Sequence, residues 1–565
     1  MTSDRRILLL VLISCVLACH REPAPAAVAQ TAASEQPSPA DPAEARIAAD
    51  VAQLASDAFE GRETGTRGYD LAAEYVAQRF KALGLEPAGE DGGFFQTVPL
   101  LKAVRQEAGA VLVVERNGRR IELRFRDQFL PTLNYNAPVH ALKAEAVFVG
   151  QGVHAPELGH DDFAGLDVTG RIVVLFSGAP TRFDHDQRAF YSSSREKLRS
   201  LSERGAIGAV FVNRPEDEAE TPWARSAENW QRAGMRLRGA DGKAIDSFPQ
   251  LRAMATVSAA AADLIFADAP QSAAALFQAT NAGTLKGFAL PGTLSLAGRT
   301  RVELLSSRNV VARLPGDDPS LAAEHVVYTA HLDHLGIGAP VPDSEDADAA
   351  KDAIYNGALD NALGVSIMLE SARMLQQAKP APRRSMLFVA VTAEEKGLLG
   401  AEWFARQPTV AADGLVANIN LDMPVLLAPS TDVVPIGVEH SSLKAPLETA
   451  ASELGVTLSP DPFPEDVVFV RSDQYPFIRA GVPAVYLIGG MISADDKRHP
   501  KLAMRKFMRE HYHQPSDEAS LPIAYGDAVR LARLNARIGQ LVGDAAQRPA
   551  WNPGDFFGDR FAKPK

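Results

Sequence analysis

Three apolar runs in the second half of the chain each end in residues able to bind a cation. Val326-Val327-Tyr328-Thr329-Ala330 ends at His331, with Asp333 and His334 close behind. Met386-Leu387-Phe388-Val389-Ala390-Val391-Thr392 leads to Glu394-Glu395, and Val416-Ala417-Asn418-Ile419-Asn420-Leu421 leads to Asp422. Short, nearly continuous apolar runs read as strands buried on both faces. In open α/β sheets, ligands bind beyond the carboxyl ends of such strands. Two further segments join them. Gly357-Ala358-Leu359-Asp360-Asn361-Ala362-Leu363-Gly364 places Asp360 in a glycine-flanked turn opening a helix. Tyr512-His513-Gln514-Pro515-Ser516-Asp517 carries His513 in a late loop.

Two histidines, three carboxylates and one extra glutamate suit a particular chemistry. Two zinc ions about 3.5–4 Å apart can polarise a carbonyl and activate water. A shared carboxylate can bridge them, leaving one histidine and one carboxylate for each, with open positions for water and substrate. A glutamate that is not a ligand can then take the proton of the water. Taken singly, each residue has a plainer reading. A strand-end histidine is more often a polar residue at the surface than a ligand, paired glutamates favour a helix N-terminus, and Asp-Asn can be a helix cap. The constellation, with three successive strands ending in His, Glu and Asp, points to a metal centre.

The elements that must position these residues follow from the pattern around them. At 565 residues the chain is too long for one core. Beyond about Thr293, apolar runs alternate with amphipathic stretches such as Ala362–Gln377 and Lys444–Leu454. This predicts an α/β fold, a mixed and mainly parallel sheet flanked by helices. From 131 to 290 short strands alternate with loops, including Arg171–Phe176 and Gly208–Val212 with a helix over Ser194–Arg204, which reads as a separate β-rich module. Residues 43–130, with a helix over Tyr69–Leu83, and 291–545 form the remainder, and 546–565 reads as a loose tail.

Hydrophobic residues make up 46% and charged residues 23% of the chain, and the net charge is −12, which argues against a nucleic-acid partner. The two cysteines, Cys15 and Cys19, both lie at the N-terminus, so any metal site in the body must use histidine and carboxylate; zinc suits it, as do manganese or cobalt. Arg5-Arg6 followed by the apolar run Ile7–Ala18 reads as an export signal. Val16-Leu17-Ala18-Cys19 resembles a bacterial lipoprotein box, with Cys19 as the lipidated residue; cleavage after Ala27-Val28-Ala29 is the alternative. Residues 20–42 read as a disordered tether. The expected location is the bacterial cell envelope, periplasmic or outer-membrane, or the secreted fraction. The only expected membrane contact is the lipid.

Together, Ala330-His331-Leu332-Asp333-His334, Gly357-Ala358-Leu359-Asp360-Asn361, Thr392-Ala393-Glu394-Glu395-Lys396-Gly397-Leu398-Leu399-Gly400, Asn420-Leu421-Asp422-Met423 and Tyr512-His513 resemble the zinc metallopeptidases that include aminopeptidase Y and the bacterial double-zinc aminopeptidases. Glutamate carboxypeptidase II and glutaminyl cyclase are relatives. The motifs occur in the family's order. The resemblance implies a zinc-exopeptidase fold, peptide substrates and two zinc ions per chain. Asp360 would bridge them, His331 and Asp422 would complete one site, and Glu395 and His513 the other. Glu394 would be the general base, Asp333 would orient His331, and Tyr512 would help stabilise the tetrahedral intermediate. The module over 131–290 looks like the protease-associated domain inserted in this family, and Ala55-Ser56-Asp57-Ala58-Phe59-Glu60-Gly61-Arg62 looks like the family's start. Two positions depart. Gln474 stands where many relatives carry histidine after Ser-Asp, and Pro424 replaces a common glycine; both would affect the substrate pocket. An aminopeptidase is the activity implied. A carboxypeptidase or dipeptidase on the same site, and a non-catalytic binding homologue, are the alternatives.

Overall fold

The computed structural model describes residues 41–338, 352–495 and 497–563. The export signal ending at Cys19 and most of the tether expected over 20–42 lie outside these residues. The first described helix is α1 (Pro42–Leu54), capped by Asp41, whose side chain accepts from Ala43 N. Next comes α2 (Arg67–Ala82), capped by Thr66.

The strands are β1 (Phe95–Arg116), β2 (Phe129–Pro131), β3 (Val139–Phe148), β4 (Ile172–Phe176), β5 (Gly208–Val212), β6 (Gly234–Leu237), β7 (Ala253–Val257), β8 (Phe288–Leu314), β9 (His325–His331), β10 (Ser385–Val391), β11 (Leu415–Asn420), β12 (Asp432–Ile436), β13 (Thr457–Leu458) and β14 (Ala484–Gly489). They belong to one sixteen-stranded sheet whose main path runs β13-β12-β14-β11-β9-β10-β8-β3-β4-β5-β7-β2, with β1 paired to β8 and β6 to β1. The expected mixed sheet is present: β9 pairs in parallel with β10 and β11, and β11 with β14, whereas β10 meets β8 antiparallel.

The helices used below are α3 (Ser194–Glu203), α4 (Trp223–Glu228), α5 (Leu363–Gln377), α6 (Lys444–Leu454), α7 (Tyr525–Asp544) and α8 (Phe556–Phe561). Every residue of β9 and β10 is buried, because both faces are covered. Successive strand side chains alternate between faces. Val326, Tyr328, Phe388 and Ala390 therefore join the core under α1, α5 and α7. Val327, Leu387, Val389 and Val391 pack on the other side with Phe404 and Phe477.

Two features differ from the sequence reading. The strand β8 runs unbroken through the boundary placed at 290, and β1 pairs along most of its length, so one sheet spans both parts of the molecule. The second core draws in Leu112, Val114, Leu123 and Leu296 along with Phe148, Val174 and Val210. Residues of β1 and the turn after it thus share a core with the segment over 131–290. Sheet continuity hid this junction, because a strand crossing it leaves no Pro/Gly-rich linker. The second difference is the tail expected over 546–565, which is not loose over its described residues, 546–563. Phe557 is fully buried against Phe469, with ring centroids 5.5 Å apart, in a cluster with Val434 and Ile478. Asp555 caps α8 by accepting from Phe557 N and Gly558 N, and it also pairs with His440 Nδ1 at 2.7 Å. Phe557→Ala is therefore expected to cost about 3–5 kcal/mol, read as a lowered urea midpoint; an undocked tail would give no change.

Candidate metal centre

The sheet brings the strand-end residues together because β11, β9 and β10 are neighbours and parallel. Their carboxyl ends share one rim. His331 closes β9, Asp422 lies two residues beyond β11, and Glu394-Glu395 follow the turn after β10. That turn is tight: Ala393 has φ +57°. The carboxylate of Asp333 holds it, accepting from Glu394 N at 3.0 Å and Thr64 Oγ1 at 3.0 Å. Asp360 arrives from the turn before α5. Gly357 has φ +60° there, and a Cβ on it would sit 2.6 Å from the His334 ring and 2.2 Å from Asp360 O; only glycine fits.

All five expected ligands converge. His331 Nε2 lies 3.0 Å from Asp422 Oδ1 and 3.2 Å from Asp360 Oδ1. His513 Nε2 lies 3.3 Å from Asp360 Oδ2 and 3.2 Å from Glu395 Oε2. The two oxygens of Asp360 thus face different clusters. His334, which the sequence reading left without a role, joins the second. Its Nδ1 is 2.8 Å from Glu395 Oε1, and His334, Asp360 and Glu395 meet the spacing of a cation site, as do His331, Asp360 and Asp422.

The donor set fits a metal. Asp360, Glu395 and Asp422 are clustered carboxylates with little contact with water, an arrangement that is costly without a compensating cation. Glu395 Oε1 and both ring nitrogens of His334 are buried and make no aligned hydrogen bond among the described residues, although they approach each other closely. Side chains converging without bonding one another leave their lone pairs to a common cation. Protons supply the positive charge in the metal-free state. Burial opposes a charged His331, but Asp422, Glu394 and Asp360 hold the ring protonated well above its usual range. His513 is raised to about 9, with burial overcome by Asp360 and Glu395. Burial pushes the carboxyl of Glu394 well up, with Glu395 and Asp422 adding repulsion against the opposing pull of His331.

One expected arrangement is different. The carboxylate of Asp333 does not orient His331; its backbone carbonyl does, 3.0 Å from His331 Nδ1. The side chain is turned to the Glu394-Glu395 backbone instead, because those amides have no strand partner at the turn.

The ligand-bearing loops are fixed by residues given no role beforehand. Ser472 Oγ donates to Asp422 Oδ2 at 2.6 Å. Asp517 accepts from Leu359 N at 2.9 Å and Asp360 N at 3.0 Å. Arg62 is almost entirely buried and donates to the carbonyls of Leu54, Leu332, Asn356 and Gly357 at 2.5–2.9 Å. It ties α1, the His331 loop and the Asp360 turn together, even though burial lowers its pKa to about 10. Hydrogen bonds to a charged donor contribute about 1.5–3 kcal/mol each. Arg62→Met is expected to destabilise the protein by at least about 3 kcal/mol and to shift its thermal midpoint downward with or without metal.

A cavity of about 730 Å³ opens on the centre. His331, Asp360, Glu394, Asp422 and His513 line it, with Tyr512 and the apolar side chains of Met423, Val425, Phe463, Ile488 and Met504. Tyr512 stacks on His513 at 3.9 Å between centroids. Gln474 does not reach this space. Wholly buried, it accepts from Asn420 Nδ2 at 2.8 Å and donates to Phe469 O at 3.0 Å, so its departure from histidine stiffens the end of β11 rather than reshaping the pocket.

Known proteins share this architecture. The aminopeptidase from Aneurinibacillus sp. strain AM-1 has a TM-score of 0.51 at 18% identity, covering 91% of this chain and 95% of that one, a likeness of fold. A probable zinc metalloprotease of Pyrenophora tritici-repentis is 45% identical over 67 residues, 12% of this chain, and one from Pyrenophora teres f. teres matches over the same length. These matches span 15% and 14% of the relatives' own lengths. Residues 309–538 match peptidase family M28. That segment contains β9, β10, β11, the Asp360 turn and every proposed ligand, and it is this part of the chain that carries the likeness to peptidase family M28.

Proposed function

We propose that this protein is a two-zinc aminopeptidase that releases N-terminal residues from peptides. The observation that carries the reading is the pair of histidine–carboxylate clusters sharing Asp360, with Glu394 in the same cavity. His331 and Asp422 would hold one zinc, Glu395 and His513 the other, and Asp360 both; His334 adds a donor beside Glu395. Bound zinc would polarise the scissile carbonyl and lower the pKa of water.

The protein's own residues do the rest. Glu394 Oε takes a proton from the attacking water and returns it to the leaving amine. The Asp333 carboxylate holds the Glu394 and Glu395 amides, keeping base and ligand in register. The Tyr512 hydroxyl donates to the oxygen that gains charge in the tetrahedral intermediate. Met423, Val425, Phe463 and Ile488 exclude water and favour an apolar N-terminal side chain.

The module between β1 and β8 is a protease-associated domain on this reading, and the segment ending at Cys19 tethers the enzyme to the bacterial envelope by a lipid. Digestion of a mixed peptide library, with both ends of the products analysed, tests the activity. Loss of apolar residues from the amino end is expected. Trimming from the carboxyl end would replace the reading with a carboxypeptidase, and no cleavage by zinc-loaded protein would leave a binding homologue.

A further inference from the structure

A second and larger cavity, of about 1230 Å³, shares His513 with the cavity over the metal centre. It is richer in cations than the cavity over the metal centre, where Arg471, Arg505 and Arg509 stand beside Glu465 and Asp466. Lys102, Arg105, Arg225, Arg232, Arg299 and Arg301 line it, against the carboxylates Glu63, Glu107 and Glu228. Glu63 is already committed to Lys396 at 3.0 Å. Of the six cations only Arg301 has an ion pair among the described residues, with Glu303 at 3.0 Å. Arg105 is spent on the carbonyls of Pro131 and Trp230. Lys102 lies across the strand pair from Glu303, and among the described residues Arg225, Arg232 and Arg299 make no ion pair, in a chain whose net charge is −12.

The fold sets this wall deliberately against the site. Arg299 and Arg301 are two apart on β8 and so share a face, opposite Gln106 and Val104 of β1. Arg225 on α4, and Arg232 after it, come from the inserted module and act electrostatically on Tyr355, close to the Asp360 turn. Residues from the module, the β1–β8 ribbon and the His513 loop therefore surround one space.

We propose that this cavity binds the leaving part of the peptide and selects for a carboxylate there, either the free C-terminus of a short peptide or an acidic side chain. The inference rests on the aminopeptidase reading. With the N-terminal side chain in the apolar cavity, the chain beyond the scissile bond must leave the metal centre by another route, and the arginine-lined space adjoins it. Focused positive potential in a cleft raises the local concentration of anionic substrate, and arginine suits planar carboxylate recognition.

The test uses the full zinc-loaded chain and peptides of two to five residues beginning with leucine. Each length is made as free acid and as C-terminal amide. An amidated set carries glutamate or lysine after the leucine. The expected result is a kcat/KM about tenfold higher for the free acid over the amide, or for glutamate over lysine, carried by KM and reduced by added salt. The first contrast identifies a terminal carboxylate and the second a side chain. In the Arg232→Ala/Arg299→Ala double variant the ratio should fall toward one. Both side chains are exposed, and circular dichroism checks folding. If amide and acid, glutamate and lysine are all cleaved equally, the inference fails while the aminopeptidase stands. A preference that survives the double variant also overturns it. If no leucine peptide is cleaved, both readings fall.

Discussion

Glu394→Gln is expected to lower kcat by about 10²–10⁴-fold, equivalent to about 3–5 kcal/mol of transition-state stabilisation, while zinc content stays at the wild-type level. The amide keeps the shape of the side chain but cannot accept a proton. Among the described residues His331, His334 and His513 pair with Asp360, Glu395 and Asp422 and not with Glu394, so its change should not disturb metal binding. KM should move little. Normal turnover in this variant would remove the base assignment. Loss of zinc would instead make Glu394 a ligand, and Glu395 would have to be reconsidered with it.

Asp360→Ala should have the largest effect of any single ligand change. Its Oδ1 faces His331 and its Oδ2 faces His513, so one side chain serves both clusters. Zinc content is expected to fall below one ion per chain, measured by elemental analysis after dialysis, with activity below detection. His513→Ala should behave differently, losing one ion and keeping the other on His331 and Asp422. His334 is the remaining nitrogen donor at the depleted site, and the double variant His334→Ala/His513→Ala should abolish residual occupancy there. If Asp360→Ala retained two ions, the shared-carboxylate arrangement would be wrong.

The residues that converge at the sheet rim were legible because strands and ligands obey simple rules. A buried parallel strand is a nearly continuous apolar run, and its carboxyl end is where a ligand site forms. His331, Glu395 and Asp422 could thus be read directly. Asp360 and His513 needed the glycine-flanked turn and the late loop, together with a family resemblance. Helices α5 and α6 came within a residue of their predicted limits, since both carry a regular apolar stripe. What could not be read depends on contacts distant in sequence. Arg62 donates to a carbonyl 295 residues away, and nothing in its neighbours signals this. His334 looked like a companion of Asp333 until folding set it beside Glu395. Asp333 was assigned to the right neighbourhood with the wrong atoms, because sequence spacing does not distinguish a carbonyl from a carboxylate. Phe557 was hidden by its setting: Trp551-Asn552-Pro553-Gly554 has the composition of a loop, yet the aromatic pair after it docks into a core built by β12 and β14.

Anomalous diffraction at the zinc edge from zinc-soaked crystals tests the central claim most directly. Two peaks about 3.5–4 Å apart are expected, one beside His331 and Asp422, the other beside Glu395 and His513, with Asp360 between them. A single peak, or two peaks away from Asp360, would contradict the two-metal centre.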